Sequence, residues 1–234
     1  MRLSRGTHEP WRLIPKMQMR DGIWLLQMLV GDFEAGWVGR EARWKIGHMR
    51  DPKFPQPVWS GDRSIEGKTI LLYADEGIGD AFQFARYIPM VANLGARVIA
   101  AVAGPTCSLV SRLDGVAERV AKTSALPAFN VHCAISSLPL AFKTSLGTIP
   151  SVVPYLPAPD QGRVDEWESR LGSDRKFRVG LVWSGNAGHM NDHNRSMSLR
   201  DLTKSSTSTP RSSVCRRIYG METAKSCPVL ISLI

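Results

Sequence analysis

The loop Asp75-Glu76-Gly77-Ile78-Gly79-Asp80 gathers three carboxylates and two glycines. It follows a short apolar run, Thr69–Ala74 (TILLYA), of the kind that makes a buried parallel strand. It precedes Asp80–Leu94, an amphipathic stretch with Phe82, Phe84, Ala85, Ile88 and Val91 as its apolar positions. Glycines between a strand and a helix let the backbone approach a ligand, and the unpaired N–H groups of the helix start favour an anion. Glu76, Gly77 and Gly79 are therefore candidate substrate- or phosphate-binding positions. Asp80 falls at the N-cap or first turn, facing the crevice at the strand's carboxyl edge. A carboxylate there is placed to act as a general base, and equally to do no more than cap the helix. The dinucleotide fingerprint Gly-x-Gly-x-x-Gly is broken by Phe82, and the Gly-Lys-Ser/Thr of a Walker loop is absent.

A second polar loop, Ser184–Ser196 (SGNAGHMNDHNRS), follows the apolar run Phe177–Trp183 and precedes a helix start at Ser198–Leu202. Its backbone is again placed to meet phosphate. Asn186 suits a turn. His189 and His193 stand four apart, but nothing there is patterned as helix, so a solvated loop explains them better than a metal pair. The four cysteines (Cys107, Cys133, Cys215, Cys227) show no CxxC or Cys/His ligand spacing and are expected to be reduced thiols, two of them in the core. No metal and no cofactor are expected.

The elements that must position these loops alternate. A β-loop-α-β unit runs from Thr69 to Ala101, with Gly95 where a helix C-cap belongs. Pro105 opens a short helix to Arg112, and Val116–Ala121 and Val131–Ile135 are strands. Leu138–Phe142 and Val164–Leu171 are helices, and residues 148–160, with four prolines, form a crossover loop. Upstream, Leu25, Leu26, Leu29 and Val30, then Phe33, Trp37, Ala42 and Trp44, mark two helices broken at Gly31-Asp32, a helical hairpin over 21–47. The organisation expected is a helical segment at 1–50, a Pro/Gly-rich linker at 51–67, a Rossmann-like domain at 68–176, the start of a second domain at 177–202, and a disordered or aberrant tail at 203–234.

Of the 234 residues, 43% are hydrophobic and 22% charged, enough for an ordinary core. No run reaches the ~18 apolar residues of a membrane span, and Met1–Arg20 lacks a signal-peptide pattern, so a cytoplasmic protein is expected. The net charge of +9 is concentrated at the ends: residues 1–20 carry +4, residues 201–234 carry +3, and the 180 residues between carry only +2. A folded basic face is absent, which counts against nucleic-acid binding.

The stretch EGIGDAFQFARYIPMVANLGARV resembles the start of the sugar-transferase domain found behind tetratricopeptide repeats in many bacterial proteins. Those domains are similar to glycosyltransferase family 9, the heptosyltransferases, and more distantly to the O-linked N-acetylglucosamine transferases. GDFEAGWVGREARWKI looks like the last repeat helix before such a domain, and FPQPVWSGDRSIEGKTILLYADEGIGD like the junction. FNVHCAISSLPLAFKTSLGTIPSVVPYL and RVGLVWSGNAGHMNDHNRSMSLRDL follow in the family's order, so the resemblance spans residues 31–202. It implies the amino-terminal half of a GT-B fold, a Rossmann-like parallel sheet, with a nucleotide-sugar donor as substrate and an unknown acceptor. By resemblance Asp80 is the general base, and Arg195, with Ser196 beside it, contacts the donor phosphates. From Phe177 onward there are 58 residues, against the ~100 a doubly wound domain usually takes, so the donor-binding domain is expected to be incomplete and transfer impaired. The alternatives are a non-catalytic module binding a protein partner through residues 21–47, and a gene fragment without function.

Overall fold

Strand β1 (Thr69–Tyr73) forms where the sequence places a short apolar run between Gly67, at φ +68°, and an acidic loop. Its Ile70, Leu71 and Leu72 are fully buried. The computed structural model describes residues 16–45, 49, 51–102, 104–121, 125–171, 178–185, 192–198, 201, 214–218 and 229–233. The chain divides into two compact units, residues 1–159 and 160–234.

In the first unit β1 pairs in parallel with β2 (Arg97–Val102) and β4 (Val131–Ala134), and β3 (Val116–Ala121) extends the sheet beyond β2. The order β3-β2-β1-β4 is that of a Rossmann-like half, so the expected parallel α/β sheet is present. Side chains alternate across it. Ile70 and Leu72 of β1, with Val98, Ala100 and Val102 of β2, face the main core. There they meet helices α3 (Ile78–Ala85), α4 (Ile88–Ala92), α5 (Gly104–Val110) and α6 (Leu138–Ala141). Burying each such aliphatic side chain contributes about 1.5–3 kcal/mol. Leu71, Ile99, Ala101 and Val120 point the other way, under Phe54, Leu126 and Phe129 of extended segments. The crossovers from β1 to β2 and β2 to β3 thus lie on one face. Residues of the return from β3 to β4 lie on the other, as right-handed connections require when strand order reverses.

The amphipathic stretch read as one helix from Asp80 to Leu94 is two, α3 and α4, with the break at Arg86-Tyr87. Pro89 explains it: it has no N–H to donate, and its ring would collide with the carbonyl four residues back. Gly95 ends α4 at φ +82°, the left-handed conformation glycine tolerates.

Upstream, α1 (Lys16–Leu29) and α2 (Phe33–Arg40) form the expected hairpin, broken at Gly31 (φ +90°), with Asp32 capping α2 by accepting from Ala35 N at 3.1 Å. The two helices approach closely because Gly36 and Gly39 have no side chain: a Cβ at Gly36 would lie 2.6 Å from Met28 Cγ. A 3-10 turn, Glu41–Trp44, follows α2. Trp37 is buried, its Nε1 donating to Thr144 O at 2.9 Å and its ring edge-on to Phe84.

Residues 51–67, read as an extended linker, are without helix or strand and mostly exposed, but are anchored by two buried side chains. Trp59 and Ile65 are 2% and 1% exposed, and Trp59 N donates to His132 O at 2.8 Å while His132 N donates to Pro57 O at 3.2 Å. These bonds cover the free edge of β4.

In the second unit, α7 (Gln161–Leu171) precedes β5 (Arg178–Val182). Within the segment read as a disordered or aberrant tail, Val214–Ile218 (β6) and Val229–Leu233 (β7) are strands in an antiparallel sheet of order β5-β7-β6. Among the described residues no helix is long and apolar enough to cross a membrane.

Candidate functional site

The carboxyl ends of β1 and β4 meet where the strand order reverses, the place at which open α/β sheets form a crevice. The loop after β1 supplies Asp75 and Glu76, and the turn after β4 supplies Ser136 and Ser137. Gly77, Ile78 and Gly79 are exposed, and Asp80 is half-buried in the first turn of α3. Asp80 Oδ2 accepts from Gly77 N at 3.1 Å. This is the carboxylate arm of a capping box, and its other arm is missing because glycine has no side chain to return the bond. A Cβ at Gly77 would lie 3.1 Å from that same Oδ2, whereas at Gly79 it would meet nothing within 4 Å. Gly77 is thus fitted to the cap, and Gly79 leaves open space above the backbone.

Two arginines from the upstream helices clamp both loops. Arg40 Nη1 donates to Ser136 O at 2.5 Å, and its Nη2 pairs with Glu76 Oε2. Its guanidinium lies 4.9 Å over the Phe84 ring. Arg43 donates from Nε and Nη2 to Asp75 Oδ2 at 3.3 and 3.2 Å. Its Nη2 also reaches Ser136 Oγ at 2.9 Å and Ser137 Oγ at 2.6 Å. Its Nη1 donates to Glu41 Oε1 at 2.5 Å and to Arg40 O at 3.2 Å. Ser136 Oγ in turn donates to Asp75 Oδ2 at 2.5 Å. Asp75 Oδ1 is buried and has no hydrogen-bond partner among the described residues.

Burial depresses the Arg40 guanidinium despite Glu76 beside it, and raises the Glu76 carboxyl despite Arg40. Both partners move toward neutrality, so desolvation outweighs their pairing. Asp75 and Asp80 push Glu76 further up. At Arg43 burial again opposes the charge, but Glu41, by charge and hydrogen bond, with Asp75 and Glu76, outweighs it and holds the guanidinium above its usual value.

Glu76, Gly77, Gly79 and Asp80 are therefore brought together as the sequence reading placed them, but Glu76 faces Arg40 and not an open phosphate site. Arg40, Arg43, Ser136 and Ser137 were missed. The signal available was Trp37, Arg40 and Arg43 at three-residue spacing, one helical face continuing from a buried tryptophan.

No family model, curated protein or solved structure matches this chain.

In the second unit Arg195 is exposed and Ser196 is half-buried. Ser196 Oγ donates to Asp192 Oδ1 at 2.6 Å and accepts from Gly185 N at 2.8 Å, closing the loop on itself. Met197 N donates to Trp183 O at 2.9 Å. Asn186 and His189 lie outside the described residues, and His193 is exposed. Among the described residues no group of three or more His, Cys, Asp or Glu side chains could hold a metal ion. Cys107 and Cys133 are buried free thiols, and burial drives the Cys133 thiol well above its usual range, which keeps it protonated.

Proposed function

We propose that the first unit is the acceptor-side half of a GT-B-type glycosyltransferase resembling family 9, acting in the cytoplasm on a nucleotide-sugar. In this reading an acceptor hydroxyl attacks the anomeric carbon, Asp80 takes the hydroxyl proton, and the nucleoside diphosphate leaves with the bonding pair. The observation that carries it is the position of Asp80. It is half-buried beside an exposed glycine loop, at the carboxyl edge of the central strand, next to the reversal of strand order. Among the described residues its carboxylate accepts from Gly77 N through Oδ2, and a carboxylate has a second oxygen with which to take a proton. Arg195, with Asn186 and Ser196 in the same loop of the second unit, is the proposed contact for the donor phosphates. The lock on Ser196 Oγ gives that residue the task of shaping the loop. Turnover of nucleotide-sugars by the chain and by Asp80→Asn tests the proposal, and equal turnover removes Asp80 from its role.

A second reading is favoured by a specific observation. Leu25, Leu26, Leu29 and Val30 of the hairpin are between 55% and 82% exposed, an apolar stripe without a charged residue. A non-catalytic module docking a protein through residues 21–47 would use it. Partners that are retained with Asp80→Asn and lost with Leu26→Glu and Leu29→Glu favour this reading.

A further inference from the structure

Residues 51–58 lead into the contact that covers the free edge of β4, and they meet that strand at His132. Val58 bridges His132 in parallel, Trp59 N donates to His132 O at 2.8 Å, and His132 N donates to Pro57 O at 3.2 Å. The His132 side chain is buried against Phe54 of this segment, the two rings edge to face with centroids 5.0 Å apart. Tyr73 of β1 and Phe129 stand round it at 5.8 and 6.3 Å.

The closed segment holds three features that opening relieves. His132 Nδ1 and Gln56 Oε1 are both buried without a hydrogen-bond partner among the described residues, and water reaching them would satisfy each. Lys53 sits at φ +50°, the left-handed conformation that residues with a side chain seldom adopt. At its carboxyl end the segment is firmly held: Trp59 is buried against Phe142, and its Nε1 donates to Arg63 O at 3.0 Å. Residues 51–58 thus form a strap, anchored at one end and strained along its seam.

A proton decides the balance. A neutral imidazole has one N–H to place, and the Gln56 backbone supplies a hydrogen bond for it. An imidazolium has two N–H groups and a charge, and in the closed strap Nδ1 has no acceptor. Burial accordingly holds the ring below its ordinary value, against the Gln56 hydrogen bond and the exposed Asp51 carboxylate, which both raise it. The other groups around it carry no charge: Phe54, Phe129 and Leu71 are apolar, and burial keeps the Tyr73 phenol and the neighbouring Cys133 thiol protonated. Closure is therefore complete above the ordinary histidine pKa of about 6.5 and weakens as pH falls below it.

We propose that residues 51–58 are an acid-opened strap with His132 as its latch. Protonation of the ring needs the strap to leave, and its leaving frees the outer N–H and C=O groups of β4 as an open sheet edge.

Hydrogen–deuterium exchange of the full chain at about pH 5.5 and 7.5, corrected for the intrinsic pH dependence of exchange, tests this. Peptides covering residues 51–59 and 131–134 are expected to lose about tenfold in protection at the lower pH, the factor set by one pH unit below an ordinary histidine. Peptides of β2 should be equally protected at both. His132→Phe, which keeps an aromatic ring and takes no proton, should remove the response once circular dichroism shows it folded, and Asp51→Asn should keep it. In the parent chain, whether or not the variants fold, the His132 Cε1 proton followed by NMR should titrate below about pH 6.5. Equal protection at the two pH values, a loss that spreads to β2, or a response that survives His132→Phe overturns the proposal. So does a response abolished by Asp51→Asn, or a ring that titrates at or above the ordinary value.

Discussion

Arg43 Nη2 stands 3.2 Å from Asp75 Oδ2, with the two side chains 9% and 3% exposed. One belongs to the turn after α2 and the other to the loop after β1, so an ion pair within the protein ties the helical hairpin to the sheet. Removing one partner of such a pair leaves a buried charge without compensation.

Arg43→Met should therefore destabilise the first unit by about 3–5 kcal/mol. Adding Asp75→Asn to it removes the stranded charge and should restore a large part of the loss. Denaturant unfolding of the two variants measures this. If the double variant is no more stable than the single one, Asp75 was not the group stranded.

Asp80 has two separable roles. Asp80→Ala removes the cap on Gly77 N and should lower stability by about 0.5–2 kcal/mol, whereas Asp80→Asn, whose amide oxygen can accept the same bond, should lose only a few tenths. Thermal melting checks both. A large loss for Asn would mean that the charge, and not the hydrogen bond, holds the loop.

The glycines of the loop region should behave oppositely. Gly61 has φ +82°, and a Cβ there would lie 2.1 Å from Ala141 O, so Gly61→Ala should cost more than the roughly 1–2 kcal/mol of a left-handed residue alone. Gly79 lies inside α3 with open space around it, so Gly79→Ala should stabilise by about 0.5–1 kcal/mol. If Gly79→Ala also keeps full ligand binding, close backbone approach is not what that glycine provides.

Glu76 predicts a pH dependence. Its folded carboxyl titrates above its unfolded value, chiefly through burial, so between the two values the folded state binds more protons than the unfolded. The stability tied to Glu76 is present below the ordinary glutamate pKa of about 4.3 and declines as pH rises through the folded value. Unfolding free energies of the parent and Glu76→Gln across that range should show the variant gaining relative to the parent as pH rises. A difference that stays flat would contradict the raised carboxyl.

Much of the sheet was legible: β1 because a short apolar run between glycine signals suits a buried strand, and β3, an edge strand that carries Glu118 and Arg119 and buries only Val120, also falls at its expected limits. The break between α3 and α4 was hidden by apolar spacing that runs unbroken past Pro89. The anchoring of residues 51–67 through Trp59 and Ile65 was hidden by their prolines, which mark absence of helix and strand but not absence of a buried anchor. In the site, the glycine loop and Asp80 were legible because their partner is three residues away. The clamp was not. Arg43 and Ser136 are 93 residues apart and meet only because β4 returns beside β1, a fact about strand order that no local pattern carries.

The most direct measurement compares nucleotide-sugar turnover by the full chain and by Asp80→Asn, each shown folded by its melting curve. Loss of a general base predicts a fall of about 10²–10⁴-fold in the variant. Equal rates in the two proteins, or no turnover in either, would contradict the assignment of a transferase site to the carboxyl edge of β1.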